Sequence, residues 1–171
     1  MALHDTDFPL STDEMPWVLG QGAVAGVVAG LTFAAYALIA SAAIEWGGAF
    51  MPLRMTGAIL LGRDALEYGY PLLSASTAGL ALHLVLSLAY GMVFALVANG
   101  LRSPMWDITL GSAFGLSVWL INFYVVAPIA FPWFLELNPI VQFIGHTFFF
   151  GTVLGVCVWR SRAWVHAGQS A

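Results

Sequence analysis

Long apolar runs alternate with short polar breaks along this chain, and the length of the runs decides the first reading. Four of them, about 18–44, 76–98, 107–129 and 139–159, are continuous enough to cross a bilayer, which takes roughly 20 helical residues. The breaks carry turn chemistry. "ANGLRSP" (98–104) joins Asn99-Gly100 to Pro104. "APIAFPWFLELNP" (127–139) sets prolines beside a Trp133/Phe134 pair that suits a membrane interface. "STDEMPW" (11–17) offers Ser11, Thr12 or Asp13 as an N-cap ahead of Pro16.

The break between the first two spans, 45–75, is not simply polar. "MPLRMTGAILLGRD" (51–64) opens with proline and stops at Gly62. It predicts a helix over about 52–62, too short to span, that lies in the interface or dips into it. Arg54 and Arg63 can then reach the headgroups. The expected fold is all-α: a single integral membrane domain over 1–171, a four-transmembrane-helix bundle with a short interfacial or re-entrant helix between spans one and two.

Composition strengthens this reading. Of 171 residues, 60% are hydrophobic and 8% charged, against about 25% charged in soluble domains. There is no lysine, and five arginines leave no basic patch for nucleic acid. Cys157 is the only cysteine, which excludes an internal disulfide or a thiolate cluster and reads as an inert filler of its apolar run. The acidic start, with Asp5, Asp7, Asp13 and Glu14, lacks the basic region of a secretory signal, so the first run is expected to be retained. His4 reads as a solvated tail residue. Four spans place both termini on one side. Arg102, Arg160 and Arg162 fall there, against Arg54 and Arg63 opposite, which favours cytoplasmic termini.

Small residues four apart let helix backbones approach closely. Gly22, Gly26 and Gly30 form such a face in span one, Gly111 and Gly115 in span three, Gly151 and Gly155 in span four. They predict tight packing within the chain, and a spare face, 22/26/30 first among them, suits a second copy or a larger membrane complex. If the faces of spans one and three met, spans two and four would be wedged apart.

Polar residues inside the spans recur at helical spacing. Gly79, His83, Ser87 and Tyr90 make one stripe, and Asn138, Gln142 and His146 another; Gly115 and Asn122 share a face. Polar groups facing lipid would go unsatisfied, so these stripes should turn inward. The expected interior cluster is His83, Asn122, Gln142 and His146, with Ser87 and Tyr90 below and Glu45 and Glu136 near the mouth. A faint duplication supports equal depth for the histidines: "AGVVAGLTFAAYALIA" (25–40) parallels "GSAFGLSVWLINFYVV" (111–126), and each is followed by a span with its histidine about a third of the way in.

Several chemistries fit such a cluster. In a bundle ordered 1-2-3-4, spans two and four are diagonal, roughly 1.4 times the usual 8–10 Å axis separation. That gap could hold a b-type haem between His83 and His146, with room from Gly79, Gly145 and Gly151 and propionates on Arg54 or Arg63. A metal could use both histidines with Glu136 or Glu45, although zinc ordinarily takes four ligands at recognisable spacings. A proton or solute path could use a histidine. The plainest reading gives each ring structural hydrogen bonds, to Asn122, Gln142 or a freed carbonyl. No GxSxG, HExxH, P-loop or dinucleotide fingerprint occurs.

"LHLVLSLAYGMVFALV" (82–97), "GSAFGLSVWLINF" (111–123) and "FPWFLELNPIVQFIGHTFFFG" (131–151) resemble the YagU-type small inner-membrane proteins of bacteria, over about 80–171. The 45–75 connection departs from that pattern. The resemblance implies a bacterial cytoplasmic-membrane location and points to His83 and His146; it supplies no reaction. The expected role is a non-enzymatic accessory or scaffold subunit, with a bis-histidine redox subunit and a small transporter or channel as alternatives.

Overall fold

The computed structural model describes residues 14–44, 47–100 and 103–168, with side chains described as far as Arg162. Ser11, Thr12, Asp13, Glu45 and Arg102 lie outside the described residues. Within them the chain is helical and has no strand. Four helices are long and apolar enough to cross a membrane: α1 (Met15–Ile44), α3 (Leu72–Ala98), α4 (Pro104–Ala130) and α5 (Pro139–Arg162), whose last stretch runs on to Gly168. A short α2 (Met51–Leu61) stands between α1 and α3.

Proline sets most of the starts. Pro52, Pro104 and Pro139 occupy the first turns of α2, α4 and α5, and Pro71 immediately precedes α3. A first-turn residue has no intrahelical partner for its N–H, so proline costs nothing there. The helices begin a few residues ahead of the apolar runs, α3 at Leu72 and α4 at Pro104. Gly62, at φ 86°, ends α2 in a conformation that L side chains rarely adopt.

Two of the long helices widen locally. Residues Asn122–Val126 of α4 and Gly145–Thr152 of α5 form π-helical turns. In α4 the cause is Pro128, whose ring cannot sit on the ordinary i−4 carbonyl. The Ala127 N–H reaches back five residues to Asn122 O, and the helix passes the proline without breaking.

The helices pack as two hairpins. α1 lies against α3 and α4 against α5, α1 also lies along α5, and α3 scarcely touches α4. Backbone contact seals each pair. A Cβ on Gly22 or Gly26 would run into the backbone of Ser87 and Gly91, and one on Gly111, Gly151 or Gly155 into the backbone of the facing helix. The faces of spans one and three therefore do not meet each other; each is occupied by its own hairpin partner, α3 for α1 and α5 for α4. Gly57 and Gly79 bring α2 equally close to α3.

The end that holds the start of α1 and the end of α5 is filled. Val18, Ala25, Ala29, Phe94, Leu154 and Val158 form its apolar core. Arg162 pairs with the fully buried Asp107 and donates to Ala98 O at 3.0 Å, tying α5 to α4 and α3. Ser161 donates to Gln21 Oε1 at 3.1 Å and ties α5 to α1. Arg162 is thus a structural cross-link rather than a free anchor.

Candidate functional site: a cavity between the hairpins

The opposite end is hollow. A cavity of about 400 Å³ lies where α3 and α4 part, and it takes side chains from all five helices. His83, Ser87 and Tyr90 reach it from α3, Asn122 from α4, Gln142 and His146 from α5. Pro52 and Thr56 of α2 and Phe131, Phe134 and Leu137 line its far end. Trp133 holds that connection to α2 by donating from Nε1 to Met55 O at 3.1 Å. The cavity reaches the side of the molecule: Leu86 of α3 and Val126 of α4 both line it and both are exposed.

Three sequence expectations change here. Glu136 is exposed and does not line the cavity, because it ends the turn Pro132–Glu136 on the outer side. Asn138 caps α5, its Oδ1 accepting from Ile140 N at 2.9 Å, instead of continuing the inward stripe. Arg54 turns its guanidinium onto Ala65 O and Glu67 O, both at 2.9 Å, and so fastens the 63–67 turn to α2.

The histidines have fixed roles. Nε2 of His83 lies 2.9 Å from Gly30 O, and Nδ1 of His146 lies 2.8 Å from Gln142 O. A carbonyl only accepts, so both of these nitrogens carry protons. In the neutral rings Nδ1 of His83 and Nε2 of His146 are then bare acceptors. Neither makes a hydrogen bond to the described protein, and His146 is 8% exposed. Phe33 stands edge-on to both rings, its centroid 5.5 Å from His83 and 4.5 Å from His146. The side chains of Tyr90, Asn122 and the buried Gln142 also lack partners among the described residues, while Ser87 donates to His83 O at 2.7 Å.

These residues do not fit a porphyrin. Bis-histidine ligation needs two imidazoles presenting free nitrogens to one iron. Here each ring keeps one bare nitrogen, but Phe33 packs edge-on against both rings and occupies the space beside them. The glycines expected to give room are occupied: Gly79 by α2, Gly145 by Phe33, Gly151 by α4. Nor do three His, Cys, Asp or Glu side chains converge anywhere among the described residues.

No family model matches this chain, and no curated protein or solved structure is significantly similar to it. The chemistry of the site is its own guide. The two π-turns lie beside the cavity: Asn122 and Phe123 enter it from one, His146 and Phe150 from the other. Such widened turns are rare and are frequent at functional sites. Thr147 Oγ1, inside the second, and Trp119 Nε1, just before the first, are buried without a hydrogen-bond partner. Sequence reasoning missed Phe33, which packs against both histidines, and Gly91, which continues the Gly79–His83–Ser87 spacing of four by one more step. It also missed Asp107, whose signal was an acid in the first turn of an apolar helix.

Proposed function

We propose that this chain is a non-enzymatic multi-pass protein of the bacterial inner membrane, an accessory subunit that retains a small neutral molecule between its two hairpins. The carrying observation is the cavity of about 400 Å³ lined by a buried His146 whose Nε2 has no hydrogen bond to the described protein. Small-molecule sites are concave, mostly apolar and furnished with a few convergent polar groups, and this one matches that description. Four long apolar helices support insertion. α2 and the Trp133-bearing connection suit the outer interface, where amphipathic rings settle. Arg160, near the end of α5, favours cytoplasmic termini. A transport path is not favoured, because the glycine contacts and the packed core close the other end of the molecule.

Two measurements test this. Alkaline carbonate washing should leave the protein in the membrane pellet. Native mass spectrometry of protein released gently from its own membranes should show a small adduct on the 18.3 kDa chain. An adduct-free wild type, with every lipid removed by the same treatment, overturns retention.

A further inference from the structure

We infer that the cavity takes a phenolic or quinol-type ring, its hydroxyl donating to Nε2 of His146. This rests on the retention reading above and adds to it the chemistry of the ligand.

Three observations narrow that chemistry. The first is charge. None of the residues lining the cavity is Asp, Glu, Lys or Arg. A charged ligand would be buried without a counter-ion, at a cost no hydrogen bond here offsets, so the ligand is neutral.

The second is hydrogen-bond polarity. His146 lines the cavity, gives its only proton to Gln142 O and keeps on Nε2 a lone pair that nothing in the described protein takes up. A carbonyl or ether oxygen placed there would meet that lone pair unfavourably, whereas a hydroxyl satisfies it. The amides of Asn122 and Gln142 and the hydroxyl of Tyr90 supply donors for a second oxygen on the same ligand. A molecule with a donor at one edge and an acceptor at another answers this set.

The third is shape. Phe33, Phe123, Phe131, Phe134, Phe150 and Tyr90 surround the space, and aromatic walls favour a ring in offset or edge-on packing. The volume holds one substituted ring and the start of a chain. Leu86 and Val126 line the space and are also exposed, so the cavity opens toward the side of the molecule at these residues, where a lipid-soluble tail belongs.

The test is calorimetric titration of detergent-solubilised protein with three probes: a short-chain benzoquinol kept reduced, the matching benzoquinone, and the dimethyl ether of the quinol. The quinol should bind about tenfold more tightly than the ether, roughly the 1.4 kcal/mol of one buried hydrogen bond, with the quinone also weaker than the quinol. His146→Leu should bring quinol and ether to the same affinity, and Leu86→Trp, which narrows the opening, should weaken all three. If His146→Leu does not fold, the comparison of quinol with ether on the wild type decides alone. Equal binding of quinol and ether to the wild type overturns hydroxyl recognition and leaves an unselective apolar crevice. No binding of any probe, with an adduct still present in native mass spectra, overturns the ligand class and spares retention. No binding and no adduct overturn both.

Discussion

The two ends of this molecule are made from the same four long helices and differ in how those helices meet. At one end, glycines set backbone against backbone, an apolar core fills the middle and a buried ion pair fastens three helices. At the other, the helices widen into π-turns, α3 and α4 part, and polar atoms face a void. The first end has little freedom to rearrange, since backbone contacts cannot be relieved by a rotamer change. The second keeps its shape through the close contact of α2 and α3 at Gly57 and Gly79 and through cross-ties at its margin, from Arg54 and Trp133. A rigid end that fixes the hairpin angle is what allows the other end to remain hollow.

Breaking the sealed end should cost most. Arg162→Ala leaves Asp107 buried and uncompensated, and truncating one partner of such a pair typically costs about 3–5 kcal/mol. The thermal midpoint in detergent should fall steeply, and Asp107→Asn in the same chain should restore part of it. Gly26→Leu or Gly111→Leu should come next, at about 1–3 kcal/mol each, because the new side chain meets backbone across the pair. The same readout checks it, with Gly20→Ala as the reference: nothing lies near that position, so its midpoint should hold or rise. Ser87→Ala removes one hydroxyl-to-carbonyl bond beside the cavity and should cost less than about 1 kcal/mol. A larger loss would mean that the hollow end bears more of the stability than its packing indicates.

The sequence made the four helices legible because length and apolarity are sufficient to state them. It made the inward residues legible as stripes, and His83, Asn122, Gln142 and His146 do line one space. Partners were harder. A glycine face states that a backbone comes close without naming which, so Gly26 and Gly111 suggested each other as readily as Gly91 and Gly151. Pro128 was the single hint of a π-turn, and nothing local announced the one in α5. Asp107 and Arg162 stand 55 positions apart, with no pattern between them to join a first-turn acid of α4 to a base of α5. Phe33 looked like any apolar residue of its run until the fold set it against two imidazoles.

One pair of substitutions tests the contrast between sealed and hollow ends most directly. Ala34 and Ala95 are both buried, at 7% and 4% exposure, but Ala34 borders the cavity and Ala95 lies in the packed core. Thermal unfolding of Ala34→Leu and Ala95→Leu, compared in the same detergent, separates the two environments. Ala95→Leu should lose about 1–3 kcal/mol to overpacking, while Ala34→Leu should keep or raise the wild-type midpoint as its side chain enters the void. Equal losses in both would contradict it, for the hollow end would then be as tightly filled as the sealed one.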